Sequence, residues 1–177
     1  MLSAPLRKAV LAAHLAVSVG WIGAVGAYLM LDLSAATSAD PQALRAAYLG
    51  MGLIAGSVIV PLAIASLLTG LLVSLGTKWG LLRHWWVVIS LVLTVFATVV
   101  LLVETGTIAS YAAVAADPDV TDAELRALDS TLVHSVGGTL VLLVVLVLNV
   151  YKPPGLTPYG WRKQRDERKE QRPIGVD

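Results

Sequence analysis

Trp85-Trp-Val-Val-Ile-Ser-Leu-Val-Leu-Thr-Val-Phe-Ala-Thr-Val-Val-Leu-Leu-Val103 carries no charge from end to end. A helix rises 1.5 Å per residue, so about 20 such residues cross the ~30 Å hydrocarbon core of a bilayer. A soluble helix of this length keeps one polar face, whereas this stretch is apolar nearly all round. Three further runs read the same way. Leu132–Val150 is closed by Lys152, Pro153 and Pro154, and Leu49–Leu75 is closed by Gly76 and Lys78. Ala9–Leu31 lies between the basic pair Arg7 and Lys8 and the acid Asp32. The spans are therefore expected at about 9–31, 49–75, 85–104 and 131–151, followed by a basic tail over 153–177. Whole-chain composition agrees: 56% of the 177 residues are hydrophobic and 14% charged, against about 25% charged in soluble domains. No alternating barrel pattern is present, so helices must satisfy the backbone in lipid. The fold class is all-α, a four-transmembrane-helix up-down bundle with short connections.

Charge placement orients the bundle. The N-terminal segment, residues 76–84 and the tail hold eleven of the thirteen Lys and Arg residues. The segments Asp32–Tyr48 and Glu104–Asp129 hold the other two, Arg45 and Arg126, with eight carboxylates. Excess Lys and Arg marks the cytoplasmic side, so both termini are expected there, in a plasma-membrane protein. The first run exceeds the 7–15 apolar residues of a signal peptide and carries His14 and Trp21, which suits a retained helix. Gly52-Leu-Ile-Ala-Gly56 permits close helix approach, and Pro61 should kink the second span or loosen its hydrogen bonding. The glycines of Gly20-Trp-Ile-Gly23-Ala-Val-Gly26 sit inside an apolar run with no preceding strand, and serve helix packing rather than dinucleotide binding. Thr121-Asp-Ala-Glu124 reads as a capping box on a short acidic helix, and Asp129 or Ser130 can cap the last span. In the tail, Asp166, Glu167 and Glu170 interrupt the basic run, which favours lipid headgroups over nucleic acid as its partner. The bilayer is the one certain partner by composition. A homo-oligomer or a membrane protein partner is compatible with the packing motifs.

With no cysteine in the chain, disulfides, thiolate metal sites and cysteine nucleophiles are excluded. No phosphate loop, GxSxG elbow or HExxH motif occurs. Ionisable residues within spans therefore carry the functional question. His14, Ser18, Trp21, Val25, Tyr28 and Asp32 fall at helical offsets on one face, which should point into the bundle. Imidazole at that depth is either a metal or haem ligand, a proton relay, or a side chain bonded to a neighbouring helix. His84, between Arg83 and Trp85-Trp86, is an interfacial residue or, turned inward, a partner for His14. His134 lies one turn into the fourth span, and with Glu104 and Asp32 it could form an outer cluster for a proton relay or a hard metal ion. His14 and His134 differ by roughly 18 Å in depth on ideal helices, so His14 with His84 is the easier bis-histidine pair.

The opening helix, with His14 followed seven residues later by Trp21 and then Gly23, resembles that of a membrane superfamily. This group includes copper resistance protein D, the HemJ-type protoporphyrinogen oxidases and small integral membrane proteins of little beyond these spans. The Arg83-His-Trp-Trp86 opening of the third span and the Asn149-Val-Tyr-Lys-Pro153 exit of the fourth are similar too. The resemblance implies haem b in the bundle with His14 as axial ligand. HemJ-type enzymes pair that histidine with a lysine early in a later span, and the matching stretch Val87-Val-Ile-Ser90 holds none. A haem-binding or electron-carrying role is therefore expected rather than oxidase catalysis. The three methionines, Met1, Met30 and Met51, form no soft-ligand cluster for copper. Two other readings stay open: a scaffold or accessory subunit without cofactor, and a small proton-linked transporter using His14, Asp32, Glu104 and His134.

Overall fold

The computed structural model describes residues 3–77 and 80–170. It is a bundle of four long helices, with two shorter ones at its ends. α1 spans Ala4–Thr37, α2 Pro41–Gly76, α3 Trp85–Ala116 and α5 Leu132–Tyr151, and all four are long and apolar enough to cross a membrane. The short α4 (Asp122–Arg126) and the tail helix α6 (Pro158–Glu170) complete the described elements. α1 packs against α2 and α5, and α3 packs against the same two helices, which gives the expected up-down ring. Large side chains such as Val19, Met30, Leu53, Val103 and Val150 are exposed on its outside. Water could not bear an apolar surface of this extent around a monomer. The chain is a multi-pass membrane protein. Residues 3–8, 80–84 and 152–170 lie at its basic end, and residues 38–40 and 117–131 at its acidic end.

Helices overrun the apolar runs because caps, not charges, end them. Asp32, expected to close the first span, lies within α1, which continues to Thr37 before Ser38 turns extended. Asp40 caps α2 by accepting from the Gln42 N–H at 2.9 Å, with Pro41 in the first helical turn. The capping box of α4 forms as expected: Glu124 Oε2 accepts from the Thr121 N–H at 2.8 Å, and the Thr121 hydroxyl from the Glu124 N–H at 3.3 Å. The Thr121 N–H, and then the Thr121 hydroxyl donating to Glu124 Oε2 at 2.7 Å, hold the Glu124 carboxyl below the usual carboxylate range. Thr131 rather than Asp129 or Ser130 stands at the N-cap of α5, although the Ser130 hydroxyl accepts from the Leu132 N–H at 3.3 Å. Lys152 closes α5 in the left-handed region, with φ 46°.

Pro61 acts as a local widening of α2. Residues Ala55–Ile59 form a π-helical turn. Proline has no N–H, and its ring crowds the carbonyl four residues earlier, so the chain takes an extra residue into the turn before it. Within the GxxxG pattern only Gly52 makes the close approach: a Cβ there would lie 2.5 Å from Ala112 Cβ on α3, whereas one at Gly56 would meet nothing within 4 Å. The buried core lies mainly in the acidic half, with Trp21, Tyr28, Leu44, Tyr48, Met51 and Ile108 among its members. Tyr48 and Tyr111 meet edge-to-face at 5.8 Å between ring centres.

The two basic residues of the acidic end knit its loops together. Arg45 donates to the carbonyls of Ala115 (2.7 Å), Asp117 (2.6 Å) and Val120 (2.9 Å). Arg126 donates to the carbonyls of Ser38 and Ala39. Carbonyls at helix C-termini have no intrahelical donors, and a guanidinium supplies several at once. At the basic end α6 docks on residues 80–84. The Thr157 N–H donates to the Arg83 carbonyl at 3.1 Å, the Trp85 N–H to the Gly155 carbonyl at 3.2 Å, and Arg83 forks onto Glu167 at 2.8 and 3.2 Å.

Candidate functional site

The His14 face of α1 points into the bundle, as its spacing predicts. Trp21, Tyr28 and Asp32 are all buried on it. His14 and Ser18 engage α2 across the helix pair. His14 Nδ1 lies 3.1 Å from the Thr69 hydroxyl, and Ser18 Oγ lies 2.8 Å from Ser66 Oγ. The Thr69 proton is committed to its own helix, since its hydroxyl donates to the Ala65 carbonyl at 2.6 Å. Toward His14 it can therefore act only as acceptor, which assigns the proton to Nδ1. In the neutral imidazole Nε2 then carries the lone pair. Orientation by a fixed acceptor on the other nitrogen is the arrangement that prepares a histidine for metal ligation. The ring lies over Gly70, where a Cβ would come 3.1 Å from Cε1. The sequence signal for this was Ser66, Thr69 and Gly70, polar or small residues at offsets 3 and 4 on one face of the second span.

His14 lines a cavity of about 420 Å³ between all four spans in the basic half. Ser18, Trp21, Trp86, Ser90, Asn149 and Lys152 share it. This volume is within the 300–1,000 Å³ usual for cofactor and ligand sites. Asn149 donates to the Ser90 hydroxyl at 3.1 Å and joins α5 to α3 beside the cavity. Neither residue reads as a site residue from the sequence, because a lone Asn or Ser in an apolar run does not disclose what stands opposite.

His84 does not join His14. It stands at the N-cap of α3, its ring centre 6.4 Å from that of Trp86. It lines a separate recess of about 840 Å³ with Leu82, Arg83, Leu156 and Tyr159, between the loop and α6. The loop's pairing with the tail, including a bridge between His84 and Leu156, sets this position.

The acidic-end trio divides in two. His134 Nε2 stands 3.6 Å from Glu104 Oε1, within ion-pairing range when the imidazole is protonated. Asp32 is turned elsewhere, accepting from the Thr131 hydroxyl at 2.9 Å and the Ser135 hydroxyl at 2.6 Å while buried. Among the described residues, no three of His, Cys, Asp and Glu gather into a group that could hold a metal ion. A hard ion also wants several oxygens converging on one point. Asp32 instead ties α1 to α5.

No family model, curated protein or solved structure matches this chain.

Proposed function

We propose that the protein binds haem b in the basic-half cavity, with Nε2 of His14 as the protein ligand to iron. The observation that carries this reading is the His14–Thr69–Ala65 relay, which leaves the lone pair of the neutral ring on Nε2, in a side chain that lines a cofactor-sized cavity. The resemblance of the opening helix to haem-binding membrane families supports it. Trp21 and Trp86 supply flat apolar walls, Gly70 leaves room for the imidazole, and Lys152 brings a positive charge to the basic end for carboxylate substituents. When bound, haem b supplies reversible one-electron chemistry. The chain's own part is to fix the imidazole, exclude water and set the polarity around it. His84 lies outside this cavity, and we assign the iron a single histidine from this chain. With the positive-inside rule, the cavity belongs to the cytoplasmic leaflet of the plasma membrane.

The test is a reduced-minus-oxidised visible spectrum of protein expressed with haem available and purified in detergent. Wild type should show a b-type spectrum, and His14→Ala should lose it while still inserting. Thr69→Val, which removes the acceptor that orients the ring, should weaken haem retention about tenfold. A wild-type protein with no chromophore overturns the reading. So does a His14→Ala protein with a full spectrum alongside a bleached His134→Ala, which would move the site to the acidic end.

A further inference from the structure

The tail helix α6 sorts its charges by face. Thr157, Gly160 and Glu167 fall on one side, and that side docks on residues 82–83. Trp161, Arg165 and Arg168, at helical offsets of 4 and 7, make the flank beside it. Arg162 and Lys169 extend that flank away from the loop. Successive residues lie about 100° apart round a helix, so Asp166, which interrupts the run in sequence, is turned off the flank. Glu167 is turned off it as well, held by the Arg83 fork at 2.8 and 3.2 Å. A run that reads as mixed along the chain is therefore uniformly basic on this flank.

The four cations of the flank are exposed, and among the described residues none of them has a carboxylate within ion-pairing distance. Trp161 is 62% exposed and shares a shallow depression of about 350 Å³ with Arg162, Arg165 and Arg168. Like charges three and four residues apart repel, and an anion among them relieves that cost. A guanidinium meets a phosphate with two parallel N–H bonds, which an ammonium cannot. The position of α6 says which phosphate. Just before α6 begins, the Gly155 carbonyl accepts from the Trp85 N–H at 3.2 Å. That bond sets the start of α6 level with the first residue of α3, where hydrocarbon gives way to headgroups. Trp85, Tyr151 and Tyr159 are exposed around the same end, as an aromatic belt at a membrane interface requires. Phosphate at this level belongs to lipid.

We propose that the Trp161 flank of α6 docks on anionic phospholipid headgroups of the leaflet at the basic end. Arg162, Arg165 and Arg168 hold phosphate oxygens, and the Trp161 indole lies among the headgroups. Arg83 and Glu167 act as positioning residues, since their fork fixes which face of α6 is left free. The surface is separate from the His14 cavity and needs no haem.

The experiment uses the full chain in dodecyl maltoside, titrated with dioctanoyl phosphatidylglycerol or dioctanoyl phosphatidylcholine, with bound lipid counted by native mass spectrometry. Wild type should bind the anionic lipid at least tenfold more tightly. Each of Arg162→Gln, Arg165→Gln and Arg168→Gln should weaken that binding about fivefold, and the triple variant should bind the two lipids alike. Arg7→Gln with Lys8→Gln removes two charges from the same end of the bundle and should leave the preference unchanged. Trp161→Ala keeps every charge and should weaken binding severalfold; if the triple variant undocks α6, Trp161→Ala decides alone. Equal binding of the two lipids by wild type overturns the proposal, as does an Arg7→Gln/Lys8→Gln loss as large as that of the triple variant. Displacement of the lipid by equimolar inorganic phosphate overturns it too, making this a simple anion site. Displacement by equimolar oligouridylate would make it a nucleic-acid surface instead.

Discussion

Asp32 shows how one carboxyl can organise a bundle without a cation beside it. Its two oxygens each take a hydroxyl proton from α5, from Thr131 and Ser135. Asp32→Ala leaves both hydroxyls buried without their acceptor. It should destabilise the protein by about 1–3 kcal/mol, read as a lowered unfolding temperature in detergent. Asp32→Asn keeps one acceptor oxygen and should cost less than half as much. An Asp32→Ala protein as stable as wild type would mean that this contact does not join α1 to α5. At this scale the sequence was half legible. The helical spacing of His14, Ser18, Trp21, Tyr28 and Asp32 predicts a face turned inward, and that face is turned inward. What the face meets depends on a second helix whose rotation no spacing along α1 can state. The acceptor at Thr69 and the hydroxyl pair on Asp32 therefore emerge only in three dimensions.

Among the elements, α2 and α6 make the sharpest claims. Gly52→Ala would place a Cβ 2.5 Å from Ala112 Cβ, forcing α2 and α3 apart. Overpacking of this kind costs typically 1–3 kcal/mol, and the unfolding temperature should fall accordingly. Ala112→Gly should restore it. Gly56→Ala meets open space and should leave stability unchanged or slightly raised, so the two glycines of one motif separate experimentally. The motif was legible as packing, but not which glycine packs, because the π-turn that begins at Ala55 rotates Gly56 away from the contact. The tail was less legible. Its composition reads as solvated, and it is exposed along most of α6, yet Thr157, Gly160 and Glu167 fix it to residues 82–83. The Arg83 guanidinium beside Glu167 holds that carboxyl below the usual carboxylate range, first by hydrogen bonding and then by charge. A carboxylate with a depressed value in the docked state adds stability above its free value of 4.5, and the contribution is lost as pH falls through the depressed one. Docking of α6 should therefore hold at neutral pH and loosen below pH 4.5, and Glu167→Gln should make it insensitive to pH. Limited proteolysis of the tail across that range reads both outcomes. Because Glu167 is partly exposed, added salt should weaken the same contact.

For the whole molecule, the safest inference is orientation. By the positive-inside rule, eleven Lys and Arg residues against two predict a cytoplasmic basic end. A reporter fused after Asp177 should be active only inside the cell, and activity outside it would refute the argument. The four spans were legible because lipid demands apolar residues all round, a condition that composition alone reveals. The ends at Trp85 and Lys152 were legible too, whereas those at Ser38 and Asp117 were not, since there the helices stop through local backbone geometry well past the apolar run. The His14 cavity was invisible for a related reason: a void is a property of how four helices lean, and no residue encodes it alone. The docking of α6 bears on how such a chain is made. Residues 80–84 emerge from the ribosome long before residues 155–167, the partners against which they are held. The loop between the second and third spans thus acquires its native shape last, after both of those spans have left the insertion machinery. A chain stopped at Lys152 would reach the membrane with all four helices and an unfinished hairpin.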